Sequence, residues 1–276
     1  HAPFRRNYLA LSRLTRNCML AHGEAVKAVR KYAKQPVKVG MAFSTGAYVP
    51  DEETPEKIEE ARHLSMETGC GLMGNRWWMD PILAGMPVRA YGIYSSSRRN
   101  MEQIHQPLDF VGLNIYTPYN YAGWGADKQV PAPGTPKNSL GWVIDERCMY
   151  WNARFVYERY HLPILITENG MSDYDSPSLD GAVHDPRRVD FLIRYLRQLK
   201  RAMDEGIPVL GYQHWSIMDN FEWAEGYDPR FGLVYVDFQS GERIPKDSAK
   251  VYKKIIESNG SVLDKEVSSW VPNSLR

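Results

Sequence analysis

The chain has 276 residues, 43% of them hydrophobic and 12% aromatic, which is enough to build a core and too aromatic for a disordered chain. No apolar run approaches the roughly 20 residues of a membrane-spanning helix, so a transmembrane protein is excluded. The 34 basic and 33 acidic side chains leave a formal net charge of +1, and we therefore expect neither a nucleic acid nor a membrane surface as partner.

The N-terminal part of the chain predicts a long helix, a strand and a second helix. At 7–32, apolar residues recur at alternating spacings of three and four, which indicates a helix with one apolar stripe. A strand is predicted at 37–43. Thr54 and Pro55 fit the N-cap and first position of a helix that runs toward Gly69. The stripe of the first helix consists of Leu11, Leu14, Cys18, Ala21, Ala25, Ala28 and Tyr32.

Three further strands are predicted, at 109–116, 164–168 and 209–215. The run at 164–168 is apolar at nearly every position, which is typical of a strand buried on both faces. Because strands and helices alternate, the pattern indicates parallel β/α units. Only about four parallel strands are found, although the length would suit the eight of a complete β/α barrel. We therefore predict one α/β domain over 1–276 that is not a complete barrel.

The second half of the chain carries two more predicted helices and a hairpin. The first helix opens at Asp185-Pro186 and ends near Gly206, where a C-terminal cap belongs. Residues 231–238 are interpreted as one arm of a hairpin, and 248–258 as a closing helix. The apolar stripe of the first of these helices consists of Val189, Leu192, Leu196, Leu199 and Met203.

The cysteines give no sign of a metal centre or a disulfide framework. Cys18, Cys70 and Cys148 are sparse, odd in number and not in a CxxC spacing, so we interpret them as buried thiols. The seven His show no paired metal spacing, and we expect no metal and no cofactor. The chain begins at His1-Ala2-Pro3 without a signal peptide, and a cytoplasmic location is expected.

Glu168 is the first candidate for catalysis. It ends a predicted buried strand, in the stretch Thr167-Glu168-Asn169-Gly170, which places it on the floor of the cleft above the strand ends. A carboxylate there can be a covalent nucleophile, a base or a metal ligand. On position alone, a strand-end Glu that caps the next helix is an equally good interpretation.

The stretch after the last predicted strand has the composition of a sugar site. It contains Trp215 and Trp223, the acids Asp219 and Glu222, and Asn220. An indole can cover the C–H face of a pyranose, and carboxylates accept hydrogen bonds from its hydroxyls in pairs. The alternative is an aromatic core with solvated acids. The sugar site is favoured because Glu222 and Trp223 are adjacent and cannot both be ordinary core residues.

Taken together, these residues resemble glycoside hydrolase family 1, the β-glucosidase family. The resemblance implies a retaining β-glycosidase that acts on a small β-glycoside or oligosaccharide. It does not choose between gluco-, galacto- and fuco-configured substrates, because a carboxylate such as Glu222 can bind either O4 epimer. The stretches that carry the resemblance are 75–81, 109–117, 163–170 and 214–238.

The resemblance also implies roles for individual residues. Glu168 matches the family nucleophile, and Tyr116 matches the tyrosine that orients it by a hydrogen bond. Trp142 matches a tryptophan on the leaving-group side. The remaining expected sugar contacts are Asn114, Trp215 on the pocket floor, Glu222 and Trp223 at the outer hydroxyls, and Phe231 at the pocket edge.

One departure from the family pattern concerns the acid/base residue. Family members complete an eight-stranded barrel, and their acid/base Glu lies in an Asn-Glu-Pro motif after strand four. The sequence contains no Asn-Glu-Pro, and its first three residues resemble the stretch a little after that motif. The resemblance therefore predicts the C-terminal half, about strands 5–8, of a (β/α)8 TIM barrel. We expect a partner, either an N-terminal half-barrel chain or, by self-association, a second copy, and only the first of these would bring the acid/base Glu.

Two alternative functions remain open. The first is a catalytically incomplete half-barrel that only binds carbohydrate. The second is a 6-phospho-β-glycosidase, in which a phosphate-binding Ser, Lys and Tyr set replaces the Glu-Trp pair. A phosphate is disfavoured because Glu222 would repel it. The run at 95–99, which is rich in Ser and Arg, is interpreted as a solvated loop rather than a phosphate site.

Overall fold

A four-stranded parallel sheet lies at the centre of the structure. The computed structural model describes residues 7–68, 74–90, 92–122 and 129–271. The strands are hydrogen-bonded in the order β1-β2-β3-β4, all parallel, so neighbours in sequence are neighbours in the sheet. Their bounds are Gly40–Thr45 (β1), Phe110–Ile115 (β2), Ile164–Asn169 (β3) and Val209–His214 (β4).

Eight α-helices are formed within the described residues. Two short antiparallel hairpins add to them, one pairing Arg89–Ala90 with Ile93–Tyr94 and one pairing Val234–Val236 with Arg243–Pro245. The first strand of the second hairpin, Val234–Val236, lies within the arm predicted at 231–238. The helices are Tyr8–Tyr32 (α1), Pro55–His63 (α2, continued by a π-helical turn at Leu64–Thr68), Asn75–Leu83 (α3), Met101–Ile104 (α4), Tyr119–Ala122 (α5), Arg147–Tyr160 (α6), Pro186–Asp204 (α7) and Asp247–Glu257 (α8).

The helices cover one face of the sheet. Val111, Leu113 and Ile166 are fully buried there, in one hydrophobic cluster with side chains from α6, α7 and α8. On the other face, Ala42 and Gln213 are exposed to solvent. The expectation that 164–168 is buried on both faces is therefore wrong, because alternate side chains of β3 point to the open face. This face is the one that would line the inside of a barrel.

The predicted helices and strands are present, most of them with an end shifted by one residue or more. The first strand starts three residues later than expected, at Gly40. The second helix turns π-helical at Leu64, and its expected end at Gly69 lies outside the described residues. Helix α7 begins at Pro186, and Gly206 follows its end with a positive φ of 91°. Met203 is 51% exposed, so it is not part of the buried stripe of α7.

The predicted stripe of α1 is on the wrong face. Its buried residues are Thr15, Met19, Gly23 and Val26, whereas the predicted Cys18, Ala21, Ala25, Ala28 and Tyr32 are exposed. The reason is Gly23, where a Cβ atom would lie 1.9 Å from the carbonyl oxygen of Gln103. The helix packs closely against α4 at that glycine, and this contact decides which face is inward.

The cysteines only partly follow the prediction. Cys148 is buried, and burial raises the pKa of its thiol. Cys18 is exposed, which contradicts the prediction of a buried thiol. Cys70 and the initial His1-Ala2-Pro3 lie outside the described residues. Across the part of the chain that the structure describes, no helix is both long and apolar enough to span a membrane.

Candidate active site

The carboxyl ends of the parallel strands bring the main candidate residues together. Tyr116 follows β2, Glu168 is the second-to-last residue of β3, and Trp215 follows β4. Parallel strands end at the same edge of a sheet, so residues far apart in sequence meet there. The register places Asn114 opposite Glu168. The side chain of Asn114 accepts a hydrogen bond from the Thr167 hydroxyl at 2.6 Å.

A direct hydrogen bond joins Tyr116 to Glu168. The Tyr116 hydroxyl donates to Oε2 of Glu168 at 2.8 Å. Burial raises the pKa of Tyr116 well above its ordinary value, and the negative charge of Glu168 and the hydrogen bond to it raise this pKa further. The phenol therefore stays protonated and acts as a donor at every physiological pH. Oε1 of Glu168 receives no bond from this tyrosine.

Gly170 allows the chain just after β3 to approach the chain just after β4 closely. A Cβ atom on Gly170 would lie 1.8 Å from the carbonyl oxygen of Trp215, so no larger residue fits without moving a strand. The Trp215 amide donates to the carbonyl of Asn169 at 2.9 Å. This close approach sets the Trp215 backbone beside Asn169 and Gly170, the two residues that follow Glu168.

A second carboxylate, Glu222, lies near the first. The Trp215 indole donates to Oε1 of Glu222 at 3.3 Å. Burial raises the pKa of Glu222, the Trp215 bond lowers it, and the negative charge of Glu168 raises it again, with a net upward shift. The neighbouring Trp223 is 81% exposed. Its indole is thus free to contact a ligand.

Three aromatic rings form a group that includes Tyr116, the hydrogen-bond partner of Glu168. The ring centroid of Tyr116 is 5.5 Å from that of Trp142 and 6.2 Å from that of Phe231, in edge-to-face arrangements. Trp142 is 37% exposed, whereas Phe231 is 2% exposed and packs behind the other two rings. The exposed ring of this trio is therefore Trp142.

Asp219, which the sequence placed in the sugar site, does not belong to it. Its carboxylate is fully buried and binds Lys246 at 2.8 Å and Arg230 at 2.8 Å. Lys246 also pairs with Asp175 at 2.6 Å, and Asp175 with Arg188 at 2.7 Å. This ion cluster of Asp175, Arg188, Asp219, Arg230 and Lys246 ties the loops after β3 and β4 to the start of α8. The prediction for Asp219 is wrong because these charges satisfy one another.

Lys246→Met should strongly destabilise the fold. It leaves the carboxylates of Asp175 and Asp219 buried without their shared cation, which typically costs about 3–5 kcal/mol of unfolding free energy. Urea denaturation of the chain measures the loss. Lys253→Met is the matched control, since its exposed amine lies 3.6 Å from Glu257 on the surface. Equal unfolding free energies for the two variants would contradict the structural role of the cluster.

No metal centre is formed by the residues in the described ranges, where no group of three or more His, Cys, Asp or Glu side chains could hold an ion. The Ser-rich run also has a structural explanation. Ser95 accepts a hydrogen bond from the Val88 amide and Ser96 accepts one from the Asn100 side chain, and both serines are buried. Both hydroxyls therefore have partners within the protein.

Comparison with known proteins gives a consistent result. The model of glycosyl hydrolase family 1 matches residues 1–261. Beta-glucosidase A of Thermotoga maritima is 37% identical over 269 residues, covering 94% of this chain and 59% of the relative. The 1,4-beta-D-glucan glucohydrolase of Thermotoga neapolitana is 36% identical, covering 94% of this chain and 60% of the relative.

Solved structures agree with the sequence comparison. The beta-glucosidase from Thermotoga maritima in complex with glucoimidazole aligns with a TM-score of 0.80 and 35% identity, over 94% of this chain and 60% of the other. The family 1 enzyme from the same organism gives a TM-score of 0.77. The chain thus spans about 59–60% of the length of these relatives. The prediction of an α/β half-barrel is confirmed.

Proposed function

This chain belongs to glycosyl hydrolase family 1, and from that premise we propose that it is the nucleophile-bearing part of a retaining β-glycosidase. The observation that carries the proposal is the bond from Tyr116 to Glu168 at the carboxyl ends of the strands. Similar proteins named β-glucosidase support the same class of reaction. The substrate would be a small β-glycoside or oligosaccharide with a terminal β-linked sugar.

In the proposed reaction, Glu168 attacks the anomeric carbon and forms a covalent glycosyl ester. The bond to the leaving oxygen breaks as the ester forms, and that oxygen takes a proton from a general acid. Water then attacks the same carbon and gives a proton to the conjugate base of the general acid, while the ester bond breaks, the sugar is released and the carboxylate of Glu168 is regenerated. Tyr116 holds Oε2 of Glu168, which leaves Oε1 free of this bond and able to attack. Burial keeps Tyr116 protonated throughout.

The sugar would be held by residues from the loops that follow β2 and β4. Glu222, fixed by the Trp215 indole, would accept hydrogen bonds from the outer hydroxyls. Trp215 and Trp223 would cover apolar faces of the ring, with Asn114 as a further polar contact. Trp142 would stand on the leaving-group side, supported from behind by Phe231. The carboxylate of Glu222 also argues against a phosphorylated sugar, because like charges repel.

Glu222→Ala should lower kcat/KM by about one to two decades, because it removes charge-assisted hydrogen bonds worth roughly 1.5–3 kcal/mol each. The measurement is steady-state kinetics on an aryl β-glucoside. The assay uses these 276 residues joined to the N-terminal half of a family relative, which we call the completed protein. Glu225→Ala, three residues away and exposed, is the control. An unchanged kcat/KM for Glu222→Ala would remove Glu222 from the site.

We propose that the general acid comes from an N-terminal half-barrel. A retaining glycosidase needs a second carboxyl group about 5–5.5 Å from the nucleophile. The inner face of the sheet is open at Ala42 and Gln213, as expected where a further half would pack. Beside β4 lies an apolar groove of about 460 Å³, where Ile217 is 71% exposed. On this proposal the 276 residues form a single domain, one half of the barrel.

The stereochemistry of the product tests the proposed function. Two successive displacements at one carbon retain configuration, so proton NMR of the completed protein with a β-glucoside should detect the β-anomer of glucose first. Initial release of the α-anomer would contradict a covalent step on Glu168. Sugar binding without any hydrolysis would instead favour the alternative of a half-barrel that only binds carbohydrate.

A further inference from the structure

The regular strand pairing breaks at the candidate nucleophile. Between Ile166 and Asn169, β3 advances three residues while β4 advances two, from Tyr212 to His214. On the other side, β2 advances one residue, from Leu113 to Asn114, while β3 advances two, from Ile166 to Glu168. The strand thus carries one extra residue relative to both neighbours at this point, a bulge that interrupts the ladder next to Glu168. Hydrogen bonds outside the regular ladder must therefore hold β3 in place next to Glu168.

The side chain of Asn169 supplies such bonds. It is fully buried, and its Nδ2 donates to the carbonyl of Ile115 in β2 at 2.8 Å. Its Oδ1 accepts from the hydroxyl of Tyr212 in β4 at 2.8 Å. A flipped amide would set Oδ1 against the Ile115 carbonyl, which can only accept, so the Ile115 bond selects a single orientation. One carboxamide therefore links the three strand ends.

We infer that Asn169 and Tyr212 are positioning residues for Glu168, an inference that rests on the proposed function. Asn169 directly follows Glu168, and its partner Ile115 directly precedes Tyr116. The bridge from Tyr212 through Asn169 to Ile115 therefore fixes the distance between the donor and acceptor of the Tyr116–Glu168 bond. Where the ladder is broken, this bridge replaces it. The backbone carbonyl of Asn169 adds a bond from the Trp215 amide, which brings the pocket floor into the same unit.

Amide hydrogen exchange on the 276-residue chain tests the bridge directly. Tyr212→Phe removes one hydroxyl. We expect the exchange rate in the peptide covering 164–170 to rise about fivefold, the factor that corresponds to the loss of one hydrogen bond. Tyr252→Phe is the matched control. Its ring centroid lies 6.1 Å from that of Tyr212, and its hydroxyl bonds the Tyr212 carbonyl rather than Asn169. Unchanged exchange at 164–170 in Tyr212→Phe would overturn the inference, whether or not the protein hydrolyses glycosides.

Kinetics of the completed protein separate positioning from general stability. Tyr212→Phe should lower kcat about tenfold with KM unchanged, because the attacking group is misplaced while the sugar contacts remain. Tyr252→Phe should keep the wild-type kcat. A raised KM with an intact kcat in Tyr212→Phe would overturn the positioning role. An inactive wild-type protein would count against the proposed function alone, and the exchange measurement would still decide on the bridge.

Discussion

Replacing Glu168 with Gln should abolish turnover of β-glycosides by the completed protein and leave sugar binding in place. The amide has nearly the shape of the carboxylate, so Tyr116 keeps a partner and the strand end keeps its geometry. The amide lacks the negative charge that attacks the anomeric carbon, and the covalent route is lost. We expect a loss of several decades in kcat, each decade corresponding to about 1.36 kcal/mol of barrier.

The comparison for this variant is Glu225→Gln, an exposed carboxylate in the loop after β4 that should keep the wild-type rate. Calorimetric titration with a sugar inhibitor should give similar dissociation constants for the wild type and Glu168→Gln. A kcat within tenfold of the wild type would remove Glu168 from the chemistry. A lost affinity together with a lost rate would point to a binding role instead.

The 276-residue chain without an N-terminal half should not hydrolyse unactivated glycosides at a useful rate. Without a general acid, the leaving oxygen departs as an alkoxide, and acid assistance is typically worth about 10²–10⁴-fold. Among the residues that the structure describes, no further strand of the sheet pairs with the outer edge of β1 or of β4, so both edges could pair with another chain. A second copy could cover them, but only an N-terminal half would bring the acid/base carboxylate. Activated aryl glycosides need the acid least, so residual activity should appear there first.

The assay for this prediction compares an aryl β-glucoside with cellobiose, before and after an N-terminal half is added as a separate chain. We expect cellobiose turnover only after addition. Native mass measured in parallel separates an N-terminal partner from self-association. Full cellobiose turnover by the unaccompanied 276 residues would refute the half-enzyme proposal and require a second catalytic carboxylate among them.

The fold was predictable where local sequence and tertiary packing agree. The apolar runs of β2, β3 and β4 lie between turn signals, and α7 is bounded by Pro186 and Gly206. Helix α6 was not predicted, because its buried residues run almost continuously from Cys148 to Val156 and show no stripe. The helix also lacks a capping signal, because the side chain of Glu146, the N-cap residue, makes no capping hydrogen bond. The face of α1 was mispredicted because the contact at Gly23 is tertiary.

The site was predictable only in part. The family resemblance paired Tyr116 with Glu168, and the structure has that hydrogen bond, while the catalytic roles of both stay predictions. The burial of Asp219 could not be foreseen, since its partner Lys246 lies 27 residues away and no spacing rule links them. The bridge at Asn169 was equally invisible, because it depends on a bulge that only the strand register reveals.

Covalent trapping is the most direct test of the central claim, that Glu168 is the nucleophile of a retaining β-glycosidase. The completed protein is incubated with a slow 2-deoxy-2-fluoro β-glycoside, digested, and its peptides are mapped by mass spectrometry. We predict a single glycosyl adduct on the peptide that contains Glu168, and none in Glu168→Gln. An adduct on a peptide without Glu168 would contradict the account.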